Sequence, residues 1–210
     1  MAAELRKLDA LGARTDVDLV ALNAQAVRTS VDLVSRATAA DLSKATPCAG
    51  WTLHGLLAHM TAQHYGFAAA SRGDANPARW LLRSLGDDPV SAYRAAAEHV
   101  IAAFAAEGVL HRDFPLPEFT TDRTFPAAQA ISFHFLDYVV HAWDVARTLG
   151  LPVHLEPSLL DVALDVAKAV PGGDARLAPG AAFGPEVALS GGSRLDEIVA
   201  ILGRSPSWPR

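Results

Sequence analysis

Apolar side chains recur along most of this chain at the spacing of an α-helix. Val20, Val27, Val31 and Val34 follow one another at intervals of seven, four and three residues, which places them on one face of a helix over about residues 16–38. A second apolar stripe runs through residues 52–72, where Thr52 provides an N-cap. Both segments therefore predict amphipathic helices that bury one face.

Further helical patterns follow at residues 88–108, 126–149, 157–170 and 194–202. Asp88 and Pro89 favour a helix start, and Gly150 favours the end of the longest helix. Extended structure is predicted as a short segment within residues 109–125 and a strand at 183–189. We therefore expect an all-α fold: an antiparallel four-helix bundle over residues 1–150, with a small C-terminal helical and strand appendage, residues 151–210, packed on it.

Composition and charge exclude several classes of protein. The net charge is −5 and the basic residues are scattered singly, which argues against a nucleic-acid surface. No apolar run reaches the roughly 18 residues that a membrane span needs, and the charged residues 1–7 precede no signal-peptide core. The single cysteine, Cys48, has no partner for an internal disulfide, and we interpret it as a buried thiol rather than a nucleophile. These features favour a cytoplasmic protein with no membrane partner.

The predicted helix at residues 126–149 carries the candidate chemistry. It is apolar nearly all round and should be buried, yet His134, Asp137, His141 and Asp144 form one narrow stripe at spacings of three, four and three. Buried ionisable groups need partners, because an unpaired buried charge is very costly. Asp137 and His141, four residues apart, can reach one point beside the helix. A hydrogen bond within the pair, an arginine on another helix or a divalent metal would satisfy them, and these interpretations stay open here.

A third ligand is available on the helix that Thr52 begins. There, Thr52, His59 and Gln63 form a polar strip beside the apolar stripe, and His59 is the natural donor. Two imidazoles and one carboxylate suit a zinc site with an open position, although nickel and iron fit the same donors.

The other polar residues of the two helices have supporting roles in this hypothesis. Asp144 and Gln63 are expected to surround the ligands, because a metal-bound histidine needs a partner for its second ring nitrogen. His134 is a candidate fourth ligand or general base, or a residue that borders the site.

Paired sequence motifs resemble a known family. Residues 46–52 read TPCAGWT, residues 56–59 read LLAH and residues 137–144 read DYVVHAWD. Together they resemble the mycothiol-dependent maleylpyruvate isomerase family of the DinB/YfiT-like metalloprotein superfamily. Residues 183–185 and 202–208 resemble a subgroup of small actinobacterial proteins. The resemblance implies a four-helix bundle whose metal is held by His59, Asp137 and His141, although the characterised isomerase has Glu at the position of Asp137.

Three functions are compatible with this resemblance. The first is a metal-dependent transferase or isomerase that binds a low-molecular-weight thiol, mycothiol, and a small-molecule substrate, with the metal activating the thiolate. The second is a hydrolase that uses metal-bound water, and the third is a non-catalytic metal-binding or stress protein. Bundles of this kind often pair, so a homodimer is one candidate assembly.

Overall fold

The computed structural model describes residues 18–48, 50–178 and 181–209. Within these residues the chain forms six α-helices: α1 Leu19–Val34, α2 Leu53–Ala70, α3 Pro89–Phe104, α4 Ala127–Leu149, α5 Pro157–Ala169 and α6 Arg194–Ile201. Two short strands, β1 Asp113–Pro115 and β2 Thr124–Pro126, pair in antiparallel register within the connection between α3 and α4. The predominantly helical fold predicted from the sequence is therefore confirmed.

Several helix ends lie where the capping signals place them. The Thr52 hydroxyl accepts a hydrogen bond from the Gly55 amide at the start of α2, and Asp88 accepts one from Ser91 at the start of α3. Gly150 ends α4 with a φ of 68°, in the left-handed region that glycine adopts without a steric penalty. These local signals fix where the site-bearing helices α2 and α4 begin and end.

Two predictions from the apolar pattern differ from the structure. Helix α1 ends at Val34 rather than near residue 38, and the predicted start at residues 16–17 lies outside the described residues. The strand predicted at 183–189 is wrong, since these residues have no strand structure. The segment lies beside α6, where the Val187 amide donates to the Ala200 carbonyl at 2.9 Å, and no strand among the described residues pairs with it to build a ladder.

Helix α4 lies at the centre of the core. It packs along α1 and contacts α5, and most of its side chains are buried on all sides, including Val139, Val140 and Val145. One hydrophobic cluster joins these residues to Leu159 of α5 and Ile198 of α6. The residues after 150 therefore pack on the bundle, while a domain boundary at that position stays a prediction. No helix among the described residues combines the length and apolar character needed to cross a bilayer.

Candidate metal centre

Three side chains from two helices converge at the middle of the buried stripe. His59 lies on α2, and Asp137 and His141 lie on α4, one turn apart. One potential donor atom from each of the three lies within 4.8 Å of the donor atoms of the other two. His141 is almost fully buried, whereas the Asp137 side chain is 23% exposed, so the group is reachable from solvent on the Asp137 side. The structure thus brings together the three ligands that the sequence predicts.

The orientation of His141 follows from its contacts with two carboxylates. Its Nδ1 lies 3.0 Å from Asp144 Oδ2, and its Nε2 lies 3.3 Å from Asp137 Oδ1. An ionised carboxylate accepts hydrogen bonds and cannot donate them, so His141 Nδ1 carries the proton that faces Asp144. A neutral His141 consequently directs the lone pair of Nε2 toward the Asp137 oxygen. Two lone pairs that face each other repel, so the contact is favourable only when a proton or a metal ion lies between them.

The separation between the two donors on α4 fits a divalent cation. In a tetrahedral site with bonds of 2.0–2.2 Å, neighbouring donors are about 3.4 Å apart. The 3.3 Å between His141 Nε2 and Asp137 Oδ1 matches that separation. Two imidazole nitrogens and one carboxylate oxygen suit zinc, and the same donors accept nickel or iron. The set therefore has the donor chemistry of a three-ligand site with an open position, with one separation at the coordination value and all three donors within 4.8 Å of one another.

His59 is held as a neutral ring. It packs against Trp51, with ring centroids 4.5 Å apart, and against His141 at 5.5 Å. Burial, reinforced by the neighbouring His141, lowers the pKa of His59 to about 4. At neutral pH the ring therefore offers a lone pair without first losing a proton, which favours metal coordination.

Asp144 lies behind His141 and is paired with an arginine that the sequence patterns did not indicate. Arg204 follows α6, and its Nη2 donates to Asp144 Oδ2 at 3.2 Å. Both side chains are buried, with 7% of Arg204 and none of Asp144 exposed. Burial alone would raise the pKa of Asp144, but Arg204 and His141 outweigh burial and hold the pKa below its usual value. Asp144 therefore stays an ionised partner for His141.

Gln63 stands on α2 four residues after His59, on the same side of the helix. Its Nε2 donates to Glu118 Oε2 at 2.8 Å, which ties the connection between α3 and α4 to this helix. Burial of the carboxylate raises the pKa of Glu118, and the negative charge of Asp137 raises it further. The hydrogen bond from Gln63 lowers the pKa but does not cancel these effects. The sequence patterns did not indicate Glu118 as a neighbour of the site, because it lies in a loop with no periodic pattern.

The structure places His134 apart from the three converging residues, although it shares their stripe in the sequence. It is fully buried, and its Nδ1 lies 2.7 Å from Asn23 Oδ1. The amide oxygen accepts, so His134 carries its proton on Nδ1, and Nε2 accepts from His64 Nδ1 at 3.2 Å. Both rings stack on Tyr138. A catalytic role for His134 stays a prediction.

Cys48 also contacts Arg204, whose Nη2 lies 3.7 Å from the Cys48 Sγ. Burial raises the pKa of the thiol to about 11, an effect that outweighs the opposing charge of Arg204. The thiol is therefore protonated at neutral pH and is a poor nucleophile, which agrees with the interpretation of Cys48 as a structural residue.

Comparisons with known proteins place this arrangement in context. Residues 23–146 match the family model described as the mycothiol maleylpyruvate isomerase N-terminal domain. An uncharacterised protein of Mycobacterium tuberculosis, matched in two strains, is 31% identical over 173 residues, which cover 82% of this chain and 90% of the relative. The crystal structure of the mycothiol-dependent maleylpyruvate isomerase shares the fold with a TM-score of 0.53, over 72% of this chain and 68% of that chain, at 17% identity. This chain belongs to the mycothiol maleylpyruvate isomerase N-terminal domain family.

Proposed function

We propose that this protein is a metal-dependent transferase or isomerase that uses a low-molecular-weight thiol, mycothiol, on a small-molecule substrate. The observation that carries the proposal is the pairing of His141 Nε2 with Asp137 Oδ1 at 3.3 Å, with a His59 nitrogen within reach of both. Family membership supports mycothiol as the thiol, because the matching solved structure is named for its dependence on it.

The residues of the chain prepare the site for a cation. His59, Asp137 and His141 would hold the ion, and their two helices already bring the donors together. Asp144 keeps the proton of His141 on Nδ1, so that Nε2 is free to donate its lone pair. A divalent metal there supplies one property, since it lowers the pKa of a bound thiol or water and yields a nucleophile at neutral pH.

The surroundings of the three ligands favour a neutral thiol over a strongly anionic ligand. Asp137 is the most exposed of the buried stripe's carboxylates, and the Glu118 carboxylate adds a second negative charge on the same side. The nearby Arg204 is already paired with Asp144 and is buried behind His141. A ligand that arrives as a protonated thiol and binds through sulfur avoids repulsion from these carboxylates.

Metal content and thiol binding test the proposal together. Wild-type protein should hold one zinc per chain by elemental analysis, and mycothiol should raise the melting temperature when zinc is present but not after chelation. His59→Ala should lose the metal and the thiol response, because two donors hold a cation far less firmly than three. His54→Ala is the matched control, since His54 is an exposed histidine on the same helix and should keep both properties.

Other results would favour the alternative functions. Hydrolysis of generic esters or amides by the zinc form without thiol would favour a hydrolase with metal-bound water. Tight metal binding with neither thiol response nor turnover would favour a metal-binding or stress protein. Full metal occupancy in the His59→Ala variant would refute the three-ligand site. A wild-type protein that binds no metal would instead favour a protonated His141 that donates hydrogen bonds to both Asp137 and Asp144.

A further inference from the structure

Arg204 reaches the candidate centre from a part of the chain that contributes no ligand. It lies in a segment after α6, residues 202–209, which we call the tail segment. The side chain is only 7% exposed, and its Nη1 donates to the Leu202 carbonyl at 3.2 Å. Burial of a guanidinium is costly unless it is paired, and here the pairing partner is the fully buried Asp144.

A single carboxylate oxygen links Arg204 to His141. Asp144 Oδ2 accepts from Arg204 Nη2 at 3.2 Å and from His141 Nδ1 at 3.0 Å. Any rotation of the carboxylate that breaks one of these hydrogen bonds disturbs the other. The orientation of the His141 ring, and the nitrogen that it presents toward Asp137, therefore depend on the position of the guanidinium.

We propose that Arg204 is a positioning residue of the metal centre, which holds Asp144 so that His141 presents Nε2 to the cation. This inference rests on the three-ligand centre of the proposed function and adds a residue that does not touch the ion. It makes the tail segment part of the site, although the three ligands all lie in α2 and α4.

The hydrogen bonds at Asp144 favour this role over a simple stabilising ion pair. Arginine and carboxylate pair most strongly through two parallel hydrogen bonds. Within the residues that the structure describes, Asp144 Oδ1 and Arg204 Nε are buried without a hydrogen-bond partner. The pair thus forgoes the bidentate arrangement, and its shared oxygen is the one that faces His141. The hydrogen bonds of Asp144 therefore orient His141 rather than maximise the strength of the ion pair with Arg204.

Arg147 provides a matched control for the tail segment. It lies on α4, and its Nη2 donates to the Pro206 carbonyl, so it anchors the same segment. It stacks near Trp143 and has no hydrogen bond to Asp144 or His141. Arg147→Gln should therefore loosen the tail segment without removing the group that orients His141.

Measurements of metal affinity distinguish a residue that positions His141 from one that only anchors the tail segment. Zinc binding to the full chain would be measured by competition with a chelator, and the absorption spectrum of the cobalt form would report the ligand geometry. We expect Arg204→Gln to weaken zinc binding by about 10–100-fold, the usual effect of removing a residue that supports a metal ligand, and to alter the cobalt spectrum. Arg204→Lys should recover part of the affinity, and Arg147→Gln should match the wild type.

The outcomes distinguish this inference from the proposed function. Equal zinc affinities and cobalt spectra for Arg204→Gln and Arg147→Gln would overturn the positioning role and leave the three-ligand centre intact. A wild-type chain without zinc affinity would overturn both. If Arg204→Gln does not fold, ¹⁵N NMR of the zinc-loaded wild-type protein decides the question: a His141 ring protonated on Nδ1 supports the inference, and one protonated on Nε2 overturns it.

Discussion

The buried pair of His64 and His134 should make the protein sensitive to acid. Both rings are fully buried, and burial lowers the pKa of His134 to about 3 and that of His64 well below its usual value. In the unfolded chain a histidine titrates near pH 6.5. As the pH falls below 6.5, these two histidines bind protons in the unfolded chain but stay neutral in the folded chain. The free energy of unfolding therefore decreases. The stabilising effect of a neutral pair is present above about pH 6.5 and is lost progressively toward pH 3.

The size of the effect follows from the pKa of His134. At pH 5 an unfolded histidine is almost fully protonated, while His134 with a pKa of about 3 is still neutral. Linkage then gives a loss of about 2 kcal/mol in the free energy of unfolding between pH 7.5 and pH 5 from this ring alone. His64 adds to the loss in the same direction, since its pKa is lowered by the same cause.

Urea unfolding of the metal-free protein between pH 7.5 and pH 5 measures this dependence. His134→Gln should be less stable than the wild type at pH 7.5, because it loses the hydrogen bonds to Asn23 and His64. Its stability should nevertheless fall by about 2 kcal/mol less than that of the wild type on reaching pH 5. His154→Gln replaces an exposed histidine and should keep the wild-type dependence. A His134→Gln variant with the same pH dependence as the wild type would refute the reasoning.

Two further predictions concern helix α2, which carries His59. Gly66→Ala should destabilise the fold by about 1–3 kcal/mol in thermal or urea unfolding, because overpacking strains a dense core; the new Cβ would lie 2.3 Å from Trp80 Cδ2. Gly55→Ala, whose Cβ would meet nothing nearer than 3.7 Å, should be neutral or stabilising, and equal effects of the two would contradict this packing argument. Thr52→Ala should cost about 1 kcal/mol through loss of the cap on the Gly55 amide, whereas Thr52→Ser should keep most of the stability.

The helices could be predicted from the sequence because their signals are local. Apolar periodicity and capping residues such as Thr52 and Gly150 act within one or two turns, and the structure follows them. The strand predicted at 183–189 failed for the opposite reason. A segment becomes a strand only when another strand pairs with it, and the Val187 amide of this segment bonds to a carbonyl of helix α6 instead.

The candidate site could be predicted in part. The helical repeat gives the angular position of Asp137, His141 and Asp144, so their common side was visible in the sequence. The repeat does not say which neighbour each residue meets, and His134 on the same stripe turns out to contact Asn23 and His64. An arginine is one of the partners that the buried stripe predicts, but Arg204 itself could not be identified, since Asp144 lies 60 residues away and no periodic pattern connects them.

The distance along the chain between Asp144 and Arg204 affects how the protein is made on the ribosome. The helices with the three candidate ligands are synthesised first, and Asp144 emerges with them before the guanidinium of Arg204 is available to pair with it. Sixty more residues must follow before the buried carboxylate gains its counter-charge. Without that counter-charge, burial of an ionised Asp144 in the bundle is costly, which favours an open and loosely packed nascent state. Final closure of the core therefore awaits synthesis of the tail segment, and a truncated product would carry the ligands without the charge that steadies them.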